Sequence, residues 1–335
     1  MSMLNLLRLF ASYFLSRVLR KAVHSGAPFA ITLEPTNRCN LHCPECPSGA
    51  QSMSRPRGFM ELETYKMILA SLDRGTSYLN LYFQGEPFLH PDFFEMVRLA
   101  KEKGLYVNTS TNGHFLDPEN ARKTIASHLD RIIISLDGAD QPAYGSYRTG
   151  GSLKTVQDGI RNLAEARKRA GTRKPGIVAQ FLVLKTNEYQ LPEMKKLARE
   201  LGADRLEIKS AQFYDFELGH PLMPEGKKYN RYRIRVNGSL RHHGATAPSY
   251  TIKNRLPDHC LRMWTSCAIT WEGTVVPCCF DKDAAYPMGN IRDQDFKGIW
   301  RSGEYSQFRQ RILSDRKSID ICRNCTSGMG LGRII

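Results

Sequence analysis

The sequence predicts an α/β protein built on a parallel sheet, followed by a small cysteine-rich extension. Short apolar segments at 29–33, 78–83, 105–109, 131–136, 177–184 and 205–209 alternate with amphipathic stretches near 61–73, 91–103, 117–128, 152–170 and 188–201. Six strands separated by helices imply right-handed crossovers and parallel pairing. The nine cysteines divide sharply, three at 39–46 and six beyond residue 259. A chain of 335 residues, 41% hydrophobic, is long enough for one barrel-sized core of about 200 residues plus an extension stapled by metal.

The first 26 residues read as an amphipathic helix. Leu4, Leu7, Ala11, Phe14, Leu15 and Val18 mark one face, broadened by Leu6, Leu9, Phe10 and Tyr13. Arg8, Arg17, Arg20 and Lys21 interrupt any apolar run long enough to span a bilayer, and a secretory signal is not expected. The apolar face suits a helix that caps the open barrel, the preferred expectation. It also suits one lying on a membrane surface, a peripheral contact that would imply a lipid-linked substrate.

The strand at 29–33 ends in Glu34-Pro35-Thr36-Asn37 and delivers Cys39, Cys43 and Cys46 in a C-x3-C-x2-C loop. Three thiolates so spaced can close on one soft-metal centre, yet they supply three ligands where iron or zinc prefers four. Asn37, Arg38, Asn40, His42 and Glu45 make the loop too polar for simple apolar burial. A zinc site completed by His42, or by a ligand from elsewhere, is the competing reading.

Spacing and position resemble the radical SAM superfamily. The resemblance implies a partial (β/α)6 TIM-like barrel and a 4Fe-4S cluster on Cys39, Cys43 and Cys46. The cluster's open iron binds S-adenosyl-L-methionine, whose reductive cleavage gives a 5'-deoxyadenosyl radical. The second strand ends in Gln84-Gly85-Glu86-Pro87. The family's Gly-Gly-Glu-Pro stands there, so Gln84 is a departure, and Gly85, Glu86 and Pro87 are implied cofactor contacts. Polar clusters ending the third and fourth strands add Asn112 and Ser135, and Tyr147-Arg148-Thr149 adds Arg148. Ser135 and Arg148 are implied contacts to the methionine carboxylate. Glu207, Lys209, Tyr214 and Asp215, at or just past the last strand, could serve as acid, base or substrate contacts, with none singled out.

The formal net charge is +15, and from Gly226 to Arg255 there are eight Lys or Arg residues and no acid: Lys227, Lys228, Arg231, Arg233, Arg235, Arg241, Lys253 and Arg255. Such a stretch is either a basic wall for an anionic substrate or an acidic electron donor such as flavodoxin or ferredoxin, or a solvated surface loop. No nucleic-acid module accompanies Tyr229, Tyr232 and Tyr250, so nucleic-acid binding is not expected.

Beyond residue 259, Cys260, the turn Trp271-Glu272-Gly273-Thr274, Cys278-Cys279 and Cys322-x2-Cys325 resemble a SPASM or Twitch extension. One auxiliary 4Fe-4S cluster on Cys260, Cys278, Cys322 and Cys325 is implied. Cys279 could replace Cys278, Cys267 reads as a small buried hydrophobe, and a structural zinc ribbon is the alternative. The expected divisions are 1–26 for the helix, 27–215 for the barrel, 216–259 for a basic linker or insert, and 260–335 for the extension. Cysteines in a chain without a secretory signal point to metal binding in a reducing compartment, hence the cytoplasm. The implied function is a radical SAM oxidoreductase or maturase acting on a peptide, or on a small or lipid-linked molecule. A zinc-binding nucleic-acid-associated protein and a non-catalytic iron-sulfur scaffold are the alternatives.

Overall fold

The computed structural model describes residues 3–242 and 245–325. Helix α1 (Met3–Leu19) precedes β1 (Ala30–Leu33). There follow α2 (Leu62–Ser71), β2 (Tyr78–Leu81), α3 (Phe93–Glu102), β3 (Tyr106–Thr111), α4 (Pro118–Ala126), β4 (Arg131–Ser135), α5 (Gln141–Gly145), α6 (Leu153–Arg169), β5 (Gly176–Val183), α7 (Leu191–Glu200) and β6 (Arg205–Ser210). A hairpin of β7 (Tyr232–His242) and β8 (Ala245–Ile252) comes next. The extension holds α8 (Arg262–Thr265), β9 (Ser266–Ile269), β10 (Thr274–Val276), β11 (Gly289–Asn290), α9 (Phe296–Trp300), α10 (Gly303–Asp315) and α11 (Asp320–Arg323).

Strands β1 to β6 pair in parallel and in chain order, the sheet that the alternation predicts and the partial barrel that the resemblance implies. Helices cover the sheet, so strands such as β4 bury both faces, and Ile132, Ile133 and Ile134 are all inside. Local chemistry sets the helix starts. Asp117 accepts from the Glu119 and Asn120 amides with Pro118 in the first turn of α4, and Ser152 caps α6 through the Thr155 amide. Leu153, Val156, Ile160 and Leu163 then form the inward stripe of α6.

The extension is hydrogen-bonded into the barrel. Strand β9 pairs in parallel with the outer side of β1, Cys267 opposite Ile31, and β10 and β11 continue the sheet antiparallel. The whole has nine strands in the order β11-β10-β9-β1-β2-β3-β4-β5-β6. The apolar run Cys267-Ala268-Ile269 thus covers an edge that β1 would otherwise leave unpaired. Gly273, at φ +86°, makes the turn between β9 and β10.

Residues 216–259 are more than a solvated loop. Tyr232, Ile252 and Leu256 are buried with Leu41, Cys43, Tyr147, Phe213 and Cys325 in a second, smaller core. The Tyr232 hydroxyl accepts from the Phe213 amide at 2.9 Å and donates to Asn324 Oδ1 at 3.0 Å, linking the end of the barrel to the extension. The side chain of Arg241 lies outside the described residues.

Helix α1 departs from the preferred expectation. Its inward side is Asn5, Leu9, Ser12 and Ser16, while Leu4, Leu7, Phe14, Leu15 and Val18 are exposed. Asn5 Nδ2 donates to the Ala27 carbonyl at 3.0 Å and the Gly75 carbonyl at 3.3 Å, and its Oδ1 accepts from the Ala27 amide at 2.8 Å. Ala27 and Gly75 precede β1 and β2. The helix therefore sits at the end of the sheet opposite the cysteine loop, and holds on by its polar stripe.

Candidate active site

The loop that follows β1 is anchored before its cysteines begin. Glu34 is fully buried and accepts a two-pronged ion pair from Arg55 at 2.6 and 2.5 Å, plus the Trp271 amide at 3.1 Å. Arg55 Nε donates to the Lys282 carbonyl at 2.8 Å, so this pair ties β1, the returning segment and the extension together. Asn37 Nδ2 donates to the Pro56 carbonyl at 2.7 Å, and Asn37 Oδ1 accepts from the Gly58 amide at 3.0 Å.

Residues after β2 clamp the other side of the loop. The Gly85 amide donates to Ser48 Oγ at 3.0 Å, and the Glu86 amide to the Arg38 carbonyl at 2.8 Å. Gly85 has φ +73°, and a Cβ there would lie 2.5 Å from the Thr36 carbonyl oxygen and 2.6 Å from that of Arg38. Only glycine fits both demands. Gln84 is free of the left-handed conformation, and its side-chain Nε2 donates to the Phe83 carbonyl at 3.1 Å, so a larger residue is accommodated there. Pro87 is buried and opens a single helical turn, 87–89.

Glu86 accepts from the Phe88 amide at 3.1 Å, Thr111 Oγ1 at 2.8 Å and the Asn112 amide at 2.7 Å. Burial lifts its carboxyl to about 7 despite these bonds. Asn112 in turn aims Nδ2 at Asn40 Oδ1, 2.7 Å, and at Cys39 Sγ, 3.8 Å. Arg148 donates through Nε to Asp137 Oδ2 at 2.6 Å and reaches Cys43 Sγ at 3.7 Å. Ser135 is buried at the C-terminal end of β4, two residues before Asp137. The strand ends thus bring Glu86, Asn112 and Arg148 to the cysteine loop, and Gly85 shapes its path.

Burial pushes the Cys39 thiol up to about 11, with Glu86, Cys46 and Cys43 adding to the rise. The Cys43 thiol is also raised by burial, against the pull of Arg148. In the chain alone, both thiols stay protonated at neutral pH, and a positively charged group is what would make them thiolates. Among the described residues, no group of three or more His, Cys, Asp or Glu side chains is arranged as a ready site for a metal ion. What the loop does supply is three thiols in one field, with an amide and a guanidinium aimed at two of the sulfurs, which suits a bound cluster. His42, the fourth ligand of a zinc reading, is exposed.

In the extension, Cys260, Cys278, Cys322 and Cys325 line one pocket, together with Arg262 and Arg316 and the apolar side chains of Met263, Phe280, Phe308 and Ile312. Arg316 donates to Cys325 Sγ at 3.5 Å. Cys279 accepts from Arg262 at 3.3 Å and is absent from the pocket wall, which separates it from its neighbour Cys278. Burial pushes the Cys322 thiol up to about 12. Cys267 lies in the main core beside Tyr305, away from that pocket.

Glu207 pairs with Arg131 at 2.6 Å and Arg205 at 2.8 Å, whereas Lys209, Tyr214 and Asp215 are exposed. Arg233, Arg235 and Arg255 line a cavity of about 610 Å³ with Lys317 and Arg323, between the hairpin and the extension. The sequence reading missed the Glu34–Arg55 pair and the part played by Asp137. A carboxylate directly after a largely buried strand is the signal that could have found the first, because such a charge needs a partner.

Residues 33–198 match the radical SAM superfamily, and residues 260–326 match the SPASM iron-sulfur cluster-binding domain. The chain is 31% identical to a PqqA peptide cyclase of Gluconobacter oxydans over 84% of this chain and 79% of that protein. It is 29% identical to a tungsten-containing aldehyde ferredoxin oxidoreductase cofactor-modifying protein of Pyrococcus furiosus, over 88% and 86%. An AdoMet-dependent heme synthase of Methanosarcina barkeri is 27% identical, over 84% of each chain. Among solved structures, Streptococcus suis SuiB bound to S-adenosylmethionine shares the fold at a TM-score of 0.63 and 14% identity, over 89% of this chain and 72% of that one.

Proposed function

Because the chain belongs to the radical SAM superfamily and carries a SPASM domain, we propose that it is a maturase-type oxidoreductase that abstracts hydrogen from a peptide. Its class implies S-adenosylmethionine and 4Fe-4S clusters as cofactors. Cys39, Cys43 and Cys46 would hold one cluster, and Cys260, Cys278, Cys322 and Cys325 an auxiliary one. When bound, the first cluster would supply the electron that cleaves S-adenosylmethionine to the 5'-deoxyadenosyl radical, which takes a hydrogen atom from substrate.

The chain's own part is positioning. Glu86 ties the loop after β2 to the one after β3 and so sets Asn112 against Cys39. Asp137 holds Arg148 beside Cys43, and Arg148 with Ser135 would offer a cation and a hydroxyl to the methionine carboxylate. Gly85, Glu86 and Pro87 would face the methionine amino group. Tyr232, bonded to Phe213 and Asn324, ties the segment after β6 to the extension. A flavodoxin- or ferredoxin-type reductant would complete the cycle.

The observation that carries this reading is the pair of separated cysteine sets, three at the mouth of the sheet and four around one pocket. The similarity to PqqA peptide cyclase favours a peptide substrate. A small anionic substrate is the second reading, favoured by the cavity lined with Arg233, Arg235, Arg255, Lys317 and Arg323. The test is anaerobic reconstitution with iron and sulfide, then a dithionite-driven assay for 5'-deoxyadenosine. Brown protein that forms it, and a Cys39→Ala/Cys43→Ala/Cys46→Ala variant that does not, is the expected result. Colourless protein that never cleaves the cofactor would refute the reading.

A further inference from the structure

Helix α1 turns its apolar side away from the protein. It supplies eight of the fourteen large hydrophobic side chains exposed among the described residues, so the exposure is concentrated rather than scattered. At 100° per residue, Met3, Leu4, Leu7, Phe14, Leu15 and Val18 fall within one arc about 120° wide. Arg8 and Arg17 mark the two borders of that arc.

The orientation is built in. Asn5 is bonded to both Ala27 and Gly75, and Ser16 Oγ donates to the Val23 carbonyl at 2.7 Å while accepting the Val23 amide at 2.9 Å. Tyr13 bonds the His259 ring at 2.8 Å and meets Trp264 edge-on at 5.4 Å. A helix pinned by its polar stripe cannot roll over to bury the apolar one.

We propose that α1 is a membrane-surface helix that docks this protein on an anionic bilayer. Charge selects this occupant. No Asp or Glu precedes Glu34, while Arg8, Arg17, Arg20 and Lys21 lie on or just after the helix, with Asp258 3.8 Å from Arg20. Arginines at the borders of an apolar face place their stems along acyl chains and their charges at anionic headgroups. A second copy of the same face would bring those charges against one another. No helix among the described residues is long and apolar enough to cross a membrane, so α1 lies in the plane of the surface.

The docked geometry has a consequence for substrate. Because α1 sits below the N-terminal ends of β1 and β2, the cysteine loop at their C-terminal ends opens away from the bilayer. The helix is a tether, and a lipid-linked substrate does not follow from it.

The test is co-sedimentation of the full-length chain with phosphatidylcholine vesicles, with and without about one-third phosphatidylglycerol. The expected result is binding to the anionic vesicles that weakens with salt. Leu7→Glu/Phe14→Glu should lower the bound fraction about tenfold or more, and Arg8→Gln/Arg17→Gln should lower it selectively on anionic vesicles. The thermal melts of both variants should match the parent, since these side chains face solvent. Two outcomes would overturn the proposal: no binding to either vesicle, or a concentration-dependent dimer that Leu7→Glu/Phe14→Glu dissolves while vesicles bind nothing. Neither readout depends on radical chemistry.

Discussion

The loop 39–46 and the pocket of the extension gather cysteines in opposite ways. The first takes three from eight consecutive residues, at the mouth of the sheet, with Asn112 and Arg148 aimed at the sulfurs. The second collects four from a span of 66 residues, Cys260 to Cys325, and walls them with apolar side chains and two arginines. Three thiols in a polar mouth would leave a coordination position for something that must come and go. Four thiols in one walled pocket would suit a centre that stays. Local spacing builds the first, whereas only the folded extension builds the second.

The largest effect should come from dismantling each set. Cys260→Ala/Cys278→Ala/Cys322→Ala/Cys325→Ala should leave 5'-deoxyadenosine formation in place but destabilise the chain and abolish substrate turnover, measured by melting and by product analysis. The loop triple variant should do the reverse, losing cofactor cleavage with little change in melting. Equal loss of stability in both would erase the contrast.

Next is the joint between the regions. Arg55→Ala leaves the Glu34 carboxylate buried without its partner and should cost about 3–5 kcal/mol in denaturant unfolding. A cost under about 1 kcal/mol would mean that the pair does not bind extension to barrel.

Two glycines offer a matched test. At Gly85 a new Cβ meets backbone oxygens, but at Gly273 it meets the Asn290 side chain at 3.0 Å, which can move. Gly85→Ala should cost roughly 3 kcal/mol and impair cofactor cleavage, while Gly273→Ala should cost about 1 kcal/mol and spare it.

A smaller effect separates the extension's packing from its cysteines. The His24 ring meets Trp300 edge-on at 5.0 Å, and burial lowers its pKa to about 3. Folded, the ring stays neutral where the unfolded chain takes a proton, so its contribution is complete above pH 6.5 and is lost as pH falls toward 3. Between pH 8 and 5 that loss is roughly 2 kcal/mol of stability relative to a His24→Leu variant, read by denaturant titration at each pH.

Periodicity made the barrel legible. The expected strand at 177–184 is Gly176–Val183, and the expected helix at 152–170 is Leu153–Arg169. The cysteine loop was legible because its three thiols are local in sequence, and Gly85 because its neighbours in sequence carry the pattern. What stayed hidden depends on partners distant in sequence. The pairing of β9 with β1 joins residues more than 200 apart, and the β7–β8 hairpin sets buried Tyr232 opposite buried Ile252 inside a stretch whose charge count reads as surface. Cys278 lines the pocket while Cys279 accepts from Arg262, a difference that two adjacent positions in the sequence do not carry. Helix α1 shows the limit of pattern alone. Its apolar face was plain in the sequence, but which face meets the protein is decided by Asn5, Ser12 and Ser16 finding backbone partners.

The most direct measurement is iron content beside 5'-deoxyadenosine yield, for the anaerobically reconstituted chain and for the two cysteine-set variants. The account predicts about eight irons per chain, falling to about four in either variant. Cofactor cleavage should be lost only when Cys39, Cys43 and Cys46 are replaced. Zinc in place of iron, or cleavage that survives without those three cysteines, would contradict it.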